Sequence, residues 1–404
     1  MTPDPTSGTL AGLRVIDLTR VLGGPYCTQI LGDHGAEIIK LEPPAGDETR
    51  GWSPITPKEG SAYYNGANRN KRSIGLDLTK PRGREVLMTL LKDADVLIEN
   101  FKPGTLDKWG IGNAFLREKF PRLIHCRISG FGADGPRGGN PGYDAIVQAM
   151  AGMIAANGSP EGGPTRIGIP VVDLTTGLYA AVGILMAINE RQKSGQGQFL
   201  ETTLFETGLA IMHPHASNYF FTGKTPVPQG NPHPSLAPYE SFRAKDGLIF
   251  IGVGNDGTFR KLCQEVGKPE LGTDPRFAGN SDRIANREIL RAEMEEVFQH
   301  LDRERLCDRL LAAGLPAGPI QSIDKALESE QANHRGLVLQ KDWYKGVASP
   351  IRFERSKASL RHAPPGFSEH AGEILSEAGF AQEQIDDLVA SGIVSRARPT
   401  GAAG

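Results

Sequence analysis

Hydrophobic and polar positions follow two different periods along the first half of the chain. Short apolar runs of strand length stand at 13–18, 36–42, 73–78, 96–98 and 123–128, and segments with helical spacing lie between them at 25–34 and 81–94. Gly23 and Gly24 form a turn before the first helix, and Pro25 is predicted at its first position. The β-α-β-α rhythm predicts an α/β fold, with a Rossmann-like large domain and a mostly parallel sheet covered on both faces. Ligands of such sheets gather at the carboxyl ends of strands. Those ends are expected at 17–24, 100–104 and 129–135.

The pattern changes after about residue 225. The stretch 223–238 is rich in Pro, Gly and His and reads as a linker; a strand at 247–252 and helices near 256–267, 283–299 and 302–313 follow it. Strand-like pieces return at 337–343 and 349–353, and a final helix is predicted at 370–391. The expected organisation is the N-terminal part of a large domain over 1–222, a linker and smaller α+β domain over 223–330, a return to the large domain over 331–395, and a flexible Gly- and Ala-rich tail over 396–404.

Composition narrows the classes. The chain has 404 residues, too many for one ordinary core. Its 45 basic and 47 acidic residues leave a net charge of −2, so bulk binding to a polyanion such as nucleic acid is not expected. Cys27, Cys126, Cys263 and Cys307 match no zinc or CxxC spacing, which predicts free thiols and no metal. The start, MTPDPTSGTL, lacks a basic region followed by an apolar one, and the run 178–188 is shorter than the roughly 20 residues that cross a bilayer. A cytoplasmic enzyme without membrane association is the expectation.

Individual motifs say less. Gly252-Val-Gly-Asn-Asp-Gly257 fits GxGxxG, but the acid about 20 residues on, Asp274, lies in a turn instead of at a strand end. Glu42 does end a strand as a ribose-binding acid would, without the glycine loop that should precede it. Gly223-Lys-Thr225 lacks the leading glycine of a phosphate loop, which is Asn218 here. His213, His215 and His233 have no paired acid or thiol and read as structural or surface residues. The loop Asn68-Arg-Asn-Lys-Arg72 is either solvated or a phosphate clamp built on Arg69, Lys71 or Arg72.

One carboxylate stands out. In GIPVVDLTTG, Asp173 separates two apolar runs at a predicted helix start. As an N-cap it would accept from the amides of Thr175 or Thr176, a contribution of about 0.5–2 kcal/mol. The same place suits a nucleophile, because a free Asp side chain titrates at about 3.9 and a helix N-terminus favours its charged form. Such a carboxylate needs no base to attack an activated acyl group such as a thioester.

Six stretches carry a resemblance that covers almost the whole chain: LAGLRVIDLTRVLGGPYCTQILGDHGAEIIKLEPPAGDETRGW, NRNKRSIGLDL, DVLIENFKPGTLDKWGIG, GYDAIVQAMAGM, VVDLTTGLYAAVGILMAI and GQGQFLETTLFE. In order and spacing they resemble the class III CoA-transferases, the formyl-CoA transferase and carnitine CoA-transferase group. NPHPSLAPYESF and GVGNDGTF add a likeness to the succinyl-CoA:dicarboxylate branch, which includes succinate–hydroxymethylglutarate CoA-transferase. The resemblance implies an interlocked homodimer, with the large domain built from both ends of the chain. It implies that Asp173 forms an aspartyl anhydride and then an aspartyl-CoA thioester while CoA passes from an acyl-CoA, here succinyl-CoA, to a short dicarboxylic acid. Coenzyme A is a substrate in that scheme, and no permanently bound cofactor is implied.

By the same resemblance Leu22 and Gly23 meet CoA at the first βα turn. Leu76, Asp77, Leu78 and Thr79 hold its adenine end. Asn100, Phe101 and Lys108 lie near the pantetheine and phosphates, with Lys102 a further phosphate contact, and Tyr143 touches CoA. Pro43 stands where the formyl-CoA enzyme has an arginine, a departure that the Arg69–Arg72 loop is expected to offset. Arg166, His233, Ser235 and Asn255 are candidates for the far carboxylate of a dicarboxylate. Two alternatives remain. An α-methylacyl-CoA racemase would need a His at the position of Tyr143, and a CoA-binding protein without turnover would bind but not transfer.

Overall fold

The computed structural model describes residues 8–56 and 60–397. The chain forms two compact units: one from its beginning to Met153, with Ile167–Gly223 and the part from His334 on; the other from Ile154–Arg166 and Lys224–Asn333. The pattern along the chain puts 154–166 in the large domain, whereas that segment packs with the second unit.

The large unit is wound around a six-stranded parallel sheet. Its first elements are β1 (Arg14–Asp17), α1 (Gly23–Asp33), β2 (Glu37–Glu42), β3 (Lys71–Gly75), α2 (Pro81–Leu90), β4 (Val96–Glu99) and β5 (Ile124–Ser129). Then follow α3 (Asp144–Met150), α4 (Val171–Ser194) and β6 (Phe199–Thr203). The strand order is β3-β2-β1-β4-β5-β6, every pair parallel, as the alternating pattern predicts. Side chains of successive strand residues point to opposite faces. Ile16, Ile39, Ile74 and Leu97 therefore join one core with α2, while Val15, Ile38, Ile98 and Cys126 join the other with α1 and α4. Between β1 and β4 the strand order reverses direction, which places the ligand crevice of such a sheet beside the carboxyl end of β1.

The second unit contains β7 (Tyr239–Ala244) and β8 (Gly247–Gly252), then α5 (Asp256–Glu265), α6 (Arg287–Phe298), α7 (Arg303–Ala312) and β9 (Ala317–Pro319). Its sheet runs β9-β8-β7, antiparallel throughout, over a core of Phe242, Ile249, Phe259, Leu290 and Phe298. The glycine pattern at 252–257 closes β8 and opens α5, where the Asn255 side chain caps the helix through the Thr258 amide at 2.9 Å. It is a turn-and-cap sequence, with no second βα step behind it.

The chain then returns to the large unit as β10 (Val338–Lys341), β11 (Tyr344–Val347), α8 (Ala371–Glu377) and α9 (Gln382–Ala390). Here the pattern misled in two places. The strand expected at 349–353 is irregular, and the partner of β10 is the polar stretch β11. The single helix expected at 370–391 is two helices, broken where Gly379 adopts φ of +89°. The tail from 398 on lies outside the described residues.

β3 also differs from its expected span. It starts at Lys71, two residues early, because Lys71 and Arg72 are strand residues with ion-pair partners. It stops at Gly75, and Leu76 turns to bridge Val394 instead. Lys71 Nζ is fully buried, 3.1 Å from Asp17 and 2.9 Å from the Asn68 side chain. Arg69 forks onto Asp33 at 2.8 and 2.6 Å, and Arg72 pairs with Glu37 and Glu377. The basic loop is therefore neither solvated nor a phosphate clamp; its charges are consumed inside the unit.

Candidate active site

A cavity of about 250 Å³ opens at the carboxyl ends of β1, β4 and β5. Leu22, Gly23, Asn100, Phe101, Lys102, Tyr143 and Asp173 all line it. Residues that lie about 150 positions apart in the sequence thus meet in one crevice. The cavity is built from the large unit alone.

The β1–α1 turn is held from below by a buried charge network. Asp17 accepts from the Thr19 amide at 2.8 Å, the Thr19 and Thr28 hydroxyls at 2.5 and 2.6 Å, and Lys71. Burial alone would push Asp17 up, but Lys71, Lys40 and the Thr19 and Thr28 hydroxyls together outweigh it and hold the carboxyl at about 2. Lys40 Nζ bridges the Thr19 carbonyl at 2.7 Å and Asp47 at 3.0 Å. Next to it Glu42 is buried and bidentate to Arg50 at 2.8 and 2.7 Å, so it is a structural anion and not a ribose ligand. Above this network Val21 sits at φ of +70°, a conformation that costs a β-branched residue free energy. Strain of this kind marks a turn whose shape is fixed by its surroundings.

Asp173 arrives on α4. The helix starts at Val171, with Pro170 at the cap position, so Asp173 is the third helical residue and not the N-cap. The capping acceptor comes from another element. Asp144, the first residue of α3, accepts from the amides of Val172 at 2.9 Å and Asp173 at 3.3 Å. Gln148 fixes Asp144 through a 2.6 Å bond and in turn accepts from the Ile167 amide at 2.9 Å. Helices α1 and α4 touch through glycines: a Cβ on Gly177 would collide with the Gly23 carbonyl oxygen. This close approach brings the N-terminal ends of both helices to the cavity.

The arrangement changes the acid chemistry. Burial, and then the negative charge of Asp144, push Asp173 up to about 7. The expectation that the helix N-terminus keeps it fully ionised at neutral pH is thus corrected: desolvation and a like charge outweigh the helix end. Tyr63, its ring tilted against Trp52 with centroids 4.9 Å apart, is pushed up to about 12 by burial and by the charge of Asp173, so it stays a neutral phenol. Asp144→Asn keeps an oxygen for the helix cap and removes the charge. We expect the acid limb of the kcat/KM profile to move down by about one pH unit. An unmoved limb would mean that Asp144 does not act on Asp173 electrostatically.

Other predicted residues lie elsewhere. Leu76, Asp77, Leu78 and Thr79 follow β3 at the sheet edge, with Leu76 and Leu78 buried and Asp77 accepting from the Thr79 amide at 3.0 Å. Lys108 is exposed at the end of a one-turn helix, Thr105–Lys108, and is not among the cavity residues. Arg166, His233, Ser235 and Asn255 belong to the second unit, where the His233 ring accepts from the Ser235 amide at 3.0 Å. Sequence reasoning missed Arg20, Glu48, Asn140 and the helix-capping Asp144. Arg20 follows a predicted strand end and so carried a usable signal; no helix is expected from the sequence at 144–150, so the capping role of Asp144 carried none.

The sequence matches CoA-transferase family III over residues 10–371. The chain belongs to this family. It is 37% identical over 380 residues to a succinate–glutarate CoA-transferase of Agrobacterium fabrum, covering 91% of this chain and 95% of that one. It is 38% identical over 386 residues to a succinyl-CoA:mesaconate CoA-transferase of Haloarcula hispanica, covering 92% and 97%. The crystal structure of a CAIB/BAIF family protein from Brucella suis superposes with a TM-score of 0.84 at 39% identity, covering 92% of this chain and all of that one. As a family III member the protein is a CoA-transferase: it moves CoA between an acyl-CoA and a carboxylic acid, and CoA thioesters are its substrates.

Proposed function

We propose that this CoA-transferase takes CoA from succinyl-CoA and passes it to a short dicarboxylic acid through covalent intermediates on Asp173. The observation that carries the reading is the meeting of Asp173 with Gly23 and Gly24, which open α1 two residues before the Pro25 start expected from sequence, and with Asn100, Phe101 and Tyr143 around one cavity. An Asp173 oxygen attacks the thioester carbonyl; the C–S bond breaks, leaving an aspartyl–succinyl anhydride and CoA thiolate. The thiolate attacks the aspartyl carbonyl and expels succinate, giving an aspartyl-CoA thioester. The acceptor carboxylate attacks that thioester and frees the thiolate again. The thiolate then attacks the acceptor's acyl carbon and regenerates the Asp173 carboxylate. Each step exchanges one activated carboxyl for another, so no net proton or phosphate is consumed. The backbone amides of Gly23 and Gly24, at a helix start without a side-chain cap, suit the oxyanion of each tetrahedral intermediate.

The relatives' succinyl-CoA and dicarboxylate chemistry supports the substrate class. A homodimer is supported by the outer face of α4. Leu178, Val182, Leu185 and Met186 are exposed there at helical spacing, while Val172, Thr176, Ala180 and Ile184 are buried. The helix is long and apolar enough to cross a membrane by length and composition. A helix with one face in a sheet core and an apolar stripe outside fits a chain–chain contact better. The interlocked arrangement is part of this proposal.

The test is incubation with succinyl-CoA and a panel of mono- and dicarboxylic acids, read by mass spectrometry. We expect new acyl-CoA products with glutarate-like or mesaconate-like acids, and a mass adduct of one CoA on the peptide containing Asp173. Products without any adduct would remove the covalent step. Absence of products from every dicarboxylate would remove the substrate class.

A further inference from the structure

Arg20 is a cation of the cavity that the covalent chemistry does not use. It lines the same space as Asp173. Its backbone is clamped on both sides by Asn100, which accepts from the Arg20 amide at 3.0 Å and donates to its carbonyl at 2.8 Å. The strained Val21 and the Lys40-bound Thr19 carbonyl flank it. Its position is therefore set by the turn and not by a side-chain partner.

The side chain also has capacity to spare. Arg20 Nε is buried without a hydrogen-bond partner among the described residues. Arg69, by contrast, is bidentate to Asp33. Arg20 is half-buried, its guanidinium presents a fork that matches one carboxylate in two bonds, and a buried donor left unpaired is costly. Arg20 does not quench Asp173 either: that carboxyl is pushed up by burial and Asp144, with no lowering contribution from Arg20. Arg20 and Asp173 thus line one cavity without an ion pair between them, together with Glu48 and Lys102.

The volume indicates what fills that space. About 250 Å³ is below the range of roughly 300–1,000 Å³ that encloses a drug-sized ligand, and far too small for a whole CoA. It suits the acyl end of the thioester. A four- or five-carbon dicarboxylate puts a second carboxylate only a few bonds from the carbon that Asp173 attacks.

Resting on the covalent reading above, we infer that Arg20 is the specificity residue that pairs with the far carboxylate of the dicarboxyl substrate. The cation offered by the β1–α1 turn admits succinyl and similar groups and leaves an acyl group with an uncharged end without a partner for Arg20. This is the selectivity expected of a site that leaves a buried donor unpaired when the wrong substrate binds. The four residues of the second unit considered from sequence are not needed for it.

The test uses full-length Asp173→Asn enzyme, which binds thioesters without consuming them, with and without Arg20→Gln. Calorimetry measures affinity for succinyl-CoA, butyryl-CoA and free CoA. We expect Arg20→Gln to weaken succinyl-CoA by about 10-fold or more. Butyryl-CoA and CoA should stay within about 2-fold, and Arg20→Lys should restore part of the succinyl-CoA affinity. Equal weakening of all three ligands would place Arg20 on the CoA phosphates, and no weakening would leave it without a role; either overturns the proposal. If Arg20→Gln fails to fold, the Arg20→Lys comparison across the same three ligands decides. The covalent reading fails separately, by turnover of Asp173→Asn or by absence of the adduct in the unaltered enzyme.

Discussion

Replacing Asp173 with alanine is expected to lower kcat/KM for CoA transfer by about 10⁴-fold or more, the scale seen when an enzyme's covalent nucleophile is removed. The cavity, the Gly23–Gly24 amides and the clamped β1–α1 turn all remain in that variant, so thioester binding should survive. Loss of turnover with retained affinity distinguishes a nucleophile from a binding residue. Asp173→Asn should be equally inactive and more stable. The folded state holds the Asp173 proton up to about pH 7, well above the ordinary carboxyl value of 3.8. Over that window the folded chain binds more protons than the unfolded one, so stability falls as pH rises. Asparagine mimics the protonated form and avoids this cost. We expect a gain of about 1–3 kcal/mol above pH 7, reduced from the full linkage value by the water at the cavity mouth, and closing as pH falls toward 4. An undiminished transfer rate in Asp173→Ala would dismiss the covalent scheme. Identical urea midpoints for Asp173→Asn and the unaltered enzyme at pH 8 and at pH 5 would contradict the electrostatics.

Removing Asp17 is expected to have the largest effect on stability. Its carboxylate is fully buried and holds Lys71, the Thr19 amide and two threonine hydroxyls. Asp17→Ala leaves Lys71 with an uncompensated buried charge, a loss of about 3–5 kcal/mol. Domains are stable by only about 5–15 kcal/mol, so the variant should be close to unfolding at 37 °C. The double variant Asp17→Leu with Lys71→Met should recover much of the loss, because it removes the stranded charge together with its partner. Asp17 titrates at about 2 in the folded protein, below the ordinary value of 3.8, so its contribution is present above pH 4 and is lost as pH falls toward 2. Urea denaturation of the single and double variants measures both effects. A single-variant loss under about 1 kcal/mol would mean that the network is dispensable.

Five strands of the parallel sheet were legible because they are largely buried and read as strand-length, mostly apolar runs, whereas the half-buried β6, Phe199-Leu-Glu-Thr-Thr203, offers no such run. Positions 96–98 and 123–128 needed only strand length and flanking helical spacing to be recognised. The network beneath the site was illegible for the opposite reason. Lys40, Glu42, Arg69 and Lys71 look like surface residues in one dimension, and their partners Asp47, Arg50, Asp33 and Asp17 stand 7 to 54 positions away along the chain. The break at Gly379 hid inside a helical pattern, since apolar spacing continues on both sides of it.

The sequence alone determined the family, five strands of the sheet, the strand ends where the candidate cavity opens, and Asp173 as the candidate nucleophile. These depend on local pattern and on the order of motifs, which the chain carries directly. Tertiary structure decided that Asp144 caps the helix bearing Asp173, that burial and this neighbour raise its pKa to about 7, and that Arg20 stands in the same cavity with an unpaired buried donor while Arg69, Lys71 and Arg72 are consumed in ion pairs. Desolvation and charge pairing depend on distances between residues far apart in the chain, and only the packed fold sets those distances.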